Sequence, residues 1–141
     1  MAVAVLALGG VLDSTYLLLY KLGVIGSMVC GAGGECERVQ ASRYSTFLGL
    51  PVAAYGVGGY LVLLILALYG LQGTRVSRPT TTRWLAALSA LGVLFSLYLL
   101  YLELFVIHAV CRWCSVSGVL ILAICAVSIG GLASSSRAPA P

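Results

Sequence analysis

The chain has 141 residues, 61% of them hydrophobic and only 9% charged, with a formal net charge of +4 and a mean hydropathy of +1.08. Soluble domains carry roughly 25% charged residues, so this composition excludes a soluble globular protein, and no nucleic-acid partner is expected. A membrane-crossing helix needs about 20 mostly apolar residues, and four such stretches use nearly the whole chain. The expected fold class is therefore all-α: an integral membrane four-helix bundle occupying 1–133, followed by a disordered Ser/Pro/Ala tail over 134–141.

The first span is predicted over about Ala2–Leu22. A signal peptide is the competing reading, but this stretch has no basic leading region and no clear small-residue cleavage site after its apolar run. Asp13 lies mid-span, where a carboxylate is costly in lipid. It reads first as a group bonded to a neighbouring Ser or Tyr, and second as part of a proton path or a cofactor contact.

Between the first and second spans lies the longest irregular stretch, Gly23–Leu50, in which Gly31-Ala32-Gly33-Gly34 gives Cys30 and Cys36 room to approach or separate. After Cys36, Val39, Ser42, Phe47 and Leu48 alternate with Glu37, Arg38, Gln40 and Arg43, the pattern of a short amphipathic helix at the membrane interface. The second span is predicted over Phe47–Leu71, with Pro51 in its first turn. A polar link, Gln72–Arg83, precedes a third span over Trp84 to about Val110, and the fourth runs from about Cys111 to Ala133. Residues Gly10–Leu18 match Gly92–Leu100 at seven of nine positions, through either an old duplication or convergent helix packing.

Four spans joined by these links place both cysteine sites on one membrane face and the Arg-rich link on the other. Lysines and arginines do not choose the orientation: Lys21, Arg38, Arg43 and Arg112 stand against Arg75, Arg78, Arg83 and Arg137. Disulfide chemistry favours an exoplasmic cysteine face, where thiols meet oxidising conditions, and the inverted orientation suits organisms with a disulfide-rich cytosol. The expected location is the cell membrane, multi-pass.

Cys111 and Cys114 carry the strongest chemical signal, since two-residue spacing at a helix start brings both sulfurs to the first turn, where the helix dipole stabilises a thiolate. Such a short loop gains little as a structural staple. Cys30 and Cys36 form a second pair at the same face, and thiol–disulfide exchange needs a thiolate to meet a disulfide sulfur directly. A mobile pair above a fixed pair fits a relay. The Cys-x5-Cys spacing argues against a closed zinc site, so no metal is expected. Cys125 is expected to serve only as a small hydrophobe, and Glu103 and His108 to handle interfacial protons or solvation.

Cys30, Cys36-Glu37-Arg38-Val39, Ser42-Arg43-Tyr44-Ser45, Gly49-Leu50-Pro51 and Cys111-x-x-Cys114 together resemble the vitamin K epoxide reductase family in its bacterial and archaeal form. The resemblance covers almost the whole chain. It implies a bundle around a quinone of the ubiquinone or menaquinone type, and electrons arriving from a thioredoxin-like protein. It implies further that Cys30 and Cys36 are the shuttle pair, that Cys36 exchanges with Cys111, that Cys114 lies beside the quinone, and that Ser42 helps to hold the shuttle site or the pocket. Microbial relatives often carry a fused thioredoxin-like domain; here the partner is expected to be a separate protein.

Gly118 and Val52 stand where the vertebrate enzymes have a Tyr and an Asn that help bind vitamin K, which argues against epoxide reduction. Another four-helix family with two cysteine pairs places its Cys-x-x-Cys in the first exposed loop, whereas here that motif comes second. The expected function is a membrane thiol–disulfide oxidoreductase that oxidises its partner at the expense of a quinone and so supports protein disulfide formation. The rival from another class is a small membrane scaffold or metal-binding protein with structural cysteines.

Overall fold

The computed structural model describes residues 1–31, 33–72 and 78–137. Among them are four long apolar helices and one short one: α1 (Ala2–Lys21), α2 (Glu35–Ala41), α3 (Val52–Gln72), α4 (Arg78–Leu102) and α5 (Arg112–Arg137). The four long helices each have the length and hydropathy to cross a membrane, α4 doing so together with the turn that follows it. Many of their large side chains face outward, including Leu12 at 65% and Leu94 at 65% exposure. Water would penalise so wide an apolar surface, and lipid does not.

The long helices close into a ring in which α1 packs on α3 and α5, and α4 packs on α3 and α5, with α3 and α4 touching least. Small residues set the approaches. A Cβ on Gly10 would overlap the Tyr60 ring, one on Gly56 would lie 2.8 Å from Ser14 Oγ, and one on Gly92 would lie 2.9 Å from Ile121 Cγ1. The two glycines of the repeated segment thus both act as packing notches. The tyrosines diverge, Tyr16 meeting Trp113 while Tyr98 is 52% exposed.

Several boundaries differ from the sequence expectation. The second span begins at Val52 rather than Phe47, because Thr46–Phe47 (β1) and Leu50–Pro51 (β2) pair as a minimal antiparallel hairpin. Its two-residue turn, Leu48 and Gly49, has φ of 51° and 82°, which the glycine supports readily. Pro51 consequently ends β2 and directly precedes α3 instead of lying within its first turn. The interfacial helix stops at Ala41 and is followed by a 3₁₀ turn, Arg43–Ser45, so Phe47 and Leu48 belong to the exposed hairpin.

The third span begins earlier, at Arg78, with Pro79 in its first turn, where the missing N–H costs nothing. It ends in a π-turn, Glu103–Ile107, closed by His108 at φ 56°. Residues 134–137, expected to begin the tail, instead continue α5, where the hydroxyls of Ser134, Ser135 and Ser136 bond back to backbone carbonyls of the preceding turn. Arg75 and the remaining tail positions lie outside the described residues.

Candidate functional site

Lys21 ends α1 and reaches beneath the short helix, donating at 2.5 Å to both the Gln40 carbonyl and Ser45 Oγ. Ser45 Oγ in turn lies 2.7 and 2.8 Å from the Gln40 and Ser42 carbonyls, which share its single proton. These bonds fix α2 and the 3₁₀ turn over the bundle by occupying carbonyls left free at the end of α2. Ser42 Oγ bonds the Val39 carbonyl at 2.7 Å, and Ser42 lines a large cavity described below.

The loop before α2 is docked at Val29. Its N–H donates to Tyr16 Oη at 3.2 Å, and its carbonyl accepts Trp113 Nε1–H at 3.0 Å. The Tyr16 and Trp113 rings meet with centroids 5.0 Å apart. Arg112 extends toward the same loop, its Nη1 lying 4.0 Å from where a Gly31 Cβ would stand. The loop therefore rests on residues from α1 and from the start of α5.

Cys30 and Cys36 are joined as a disulfide with Cα atoms 6.1 Å apart, whereas Cys111, Cys114 and Cys125 are free thiols. Cys36 and Cys111 are 1% and 0% exposed and share one buried cluster with Leu17, Met28, Val39 and Ala109. Cys30, Trp113 and Cys114 pack against its edge. The fold thus brings both sequence-identified pairs to one place. Cys125 does not join them; it lies about 16 Å farther along α5 at ~1.5 Å per residue, and is half-buried.

Local geometry differentiates the two helix thiols. Cys111 stands just before α5, and its Sγ accepts the Cys114 N–H at 3.3 Å, as a capping side chain does. The Cys111 thiol is held below its usual value. The hydrogen bond with the Cys114 side chain is the largest cause, burial opposes it, the Cys114 and Trp113 backbone N–H groups add to it, and the Glu103 charge works against it. Cys114 instead lines the cavity.

That cavity has a volume of about 760 Å³ and is bordered chiefly by apolar residues of α3, α4 and α5, with a few polar groups including Cys114, Glu103, Ser117 and Tyr60. Tyr60 Oη donates to the Ser117 carbonyl at 2.6 Å and lies 3.1 Å from Ser117 Oγ. Val52 and Gly118, the two positions that depart from the vertebrate pattern, both face this cavity. The mid-span Asp13 is 7% exposed, with its carboxyl beside the Ser117 hydroxyl and near enough to Tyr60 to act on it. Ser117 is thus a hydroxyl neighbour of the kind expected, held at a geometry short of a strict hydrogen bond.

Glu103 acquires a role that its sequence position did not reveal. It is 4% exposed, and its Oε2 accepts the Cys111 N–H at 3.0 Å. The available signal was an acidic residue inside an apolar run eight positions before Cys111, but only the π-turn aims it at α5. His108 is exposed at the end of that turn.

The vitamin K epoxide reductase family model matches residues 1–129, covering all four spans through most of α5 and all the cysteines described above. A multi-pass bundle with two cysteine pairs at one end agrees with that match, and the chain belongs to the vitamin K epoxide reductase family, whose members are membrane oxidoreductases.

Proposed function

We propose that this protein passes electrons from a separate thioredoxin-like dithiol protein, through its two cysteine pairs, to a quinone, and thereby generates disulfides. The observation that carries the reading is the shared burial of Cys36 and Cys111 in one cluster while Cys114 faces the large cavity. The partner's dithiol reduces the Cys30–Cys36 disulfide. The Cys36 thiolate then attacks Cys111 Sγ of an oxidised Cys111–Cys114 pair and frees Cys114. Cys30 next closes on Cys36 and releases Cys111, leaving a loop disulfide and two helix thiols.

The cavity suits a quinone. Sites of roughly 300–1,000 Å³ with mainly apolar walls and few polar groups hold ligands of this class. The walls of α3 and α4 would hold the apolar body, and the Ser117 hydroxyl is a polar group on the wall that could meet one of its oxygens. Bound there, a quinone supplies a two-electron, two-proton acceptor next to Cys114. Ser42 shapes the cavity's interfacial end and braces the turn after α2. We place the cysteine face on the exoplasmic side, where substrate thiols meet oxidising conditions.

The trapping experiment removes both outer thiols. In a Cys30→Ser/Cys114→Ser chain nothing resolves a bond between the inner cysteines. Acid quench, alkylation and mass spectrometry should find Cys36 bonded to Cys111. Two alkylated inner thiols after oxidising treatment would refute the order of transfer.

A further inference from the structure

A buried carboxylate at a membrane-embedded site is costly, and its placement asks for a reason. Glu103 satisfies the Cys111 N–H, but any neutral acceptor could do that. Its charge is what the role leaves unexplained. Three features converge on the thiols: the π-turn that carries Glu103, its near-complete burial, and its position with Cys114 on the cavity wall. The backbone is committed to this placement as well, the Glu103 carbonyl accepting the N–H groups of both His108 and Ala109. The titratable groups acting on Cys114 are Cys111 and Glu103.

We propose that Glu103 is the proton acceptor and donor for Cys114 Sγ, keeping one proton inside the site while the Cys111–Cys114 bond forms and breaks. This deepens the disulfide-relay reading above and rests on it for the identity of the oxidant. In the reduced pair, Cys111 is the thiolate, Cys114 the thiol and Glu103 a carboxylate. On oxidation the Sγ–Sγ bond forms, the Cys114 proton moves to a Glu103 carboxylate oxygen, and two electrons leave to the quinone-class oxidant, which takes the two protons of its hydroquinone from water at the membrane face.

On reopening, the Cys36 thiolate bonds to Cys111 Sγ. The Cys114 sulfur departs and recovers its proton from Glu103, which returns to carboxylate. Cys30, its thiol proton released to water, then bonds to Cys36 Sγ and displaces Cys111 as a thiolate, and the starting state is restored. Each half balances in charge: oxidation takes two negative charges on the site to two departed electrons, and reopening moves one negative charge from Cys36 to Glu103. A thiolate thus never has to leave into an apolar wall without a proton, which is the benefit of a carboxyl held there.

The test uses the full-length protein in detergent, freed of quinone, so that it does not depend on the oxidant. The Cys111–Cys114 pair is oxidised with a small disulfide, and its opening by dithiothreitol is followed by alkylation and mass spectrometry. Trypsin cuts after Arg112 and so reports the two thiols on separate peptides. Glu103→Gln keeps an oxygen for the Cys111 N–H but carries no exchangeable acid. It should slow opening at pH 7 at least about tenfold, general acid catalysis typically contributing ~10²-fold or more. Opening at the wild-type rate would overturn the proposal.

Should that variant misfold, the wild type supplies a second measurement. The oxidised-minus-reduced infrared difference spectrum should gain a protonated-carboxyl C=O band, and a spectrum without one would equally overturn it. Failure of the relay reading has its own signature: reduced wild-type protein that a short-chain quinone does not oxidise, whatever the outcome at Glu103.

Discussion

Cys111 is 0% exposed in a cluster that includes Met28 and Cys36 from the loop side, and few contacts hold that loop in place. Trp113 contributes one hydrogen bond to Val29 and one ring contact with Tyr16. The bond is solvent-exposed and is worth about 0.5–1 kcal/mol, toward the low end for hydrogen bonds. The tilted ring pair adds about 0.5–1 kcal/mol. Trp113→Ala should therefore raise the population with the loop undocked by a factor of roughly 5–30, the equivalent of 1–2 kcal/mol. Tyr16→Phe removes only the acceptor for the Val29 N–H and should raise it roughly two- to fivefold.

The assay is alkylation of Cys111 by a small maleimide while the loop disulfide stays intact. When opening and reclosing are fast, that rate follows the open population. Wild-type rates in both variants, with Cys111 still reactive after denaturation, would refute the idea that these contacts seal the exchange site.

Gly10→Ala should destabilise the bundle by roughly 1–3 kcal/mol in thermal unfolding, because its Cβ would overlap the Tyr60 ring. Gly118→Ala, with nothing within 4 Å of the new Cβ, should be neutral or slightly stabilising as a helix-interior exchange. Cys114→Ala removes the largest cause holding the Cys111 thiol below its usual value, so the pH at which Cys111 becomes alkylatable should move upward. An unchanged profile would show that the capping N–H groups alone set it. For orientation, a membrane-impermeant thiol reagent added to intact cells after reduction should label Cys30 or Cys36, and labelling only after rupture would place that face in the cytosol.

The sequence by itself determined the class and the count of spans. Apolar runs of spanning length leave a chain in lipid no alternative to helices, since only helices satisfy their own backbone there. It also determined that Cys30, Cys36, Cys111 and Cys114 share one end, because that follows from counting crossings. The order of motifs was enough to carry the family resemblance, which the match over residues 1–129 bears out.

Tertiary structure decided everything that depends on direction. Whether Cys111 faces the loop and Cys114 the cavity rests on a rotation of about 300° over three residues of helix, which spacing cannot assign to one wall or another. The Phe47–Pro51 segment reads as the start of an apolar helix, yet it forms a hairpin because its turn, Leu48-Gly49, takes positive φ at both positions. Glu103 looked like an interfacial charge until a π-turn aimed it at Cys111, and Lys21, in the sequence only one of the basic residues on the cysteine face, donates hydrogen bonds to Gln40 and Ser45. Each of these contacts joins residues from different elements, and local sequence pattern carries no information about which neighbour a packed helix will turn a side chain toward.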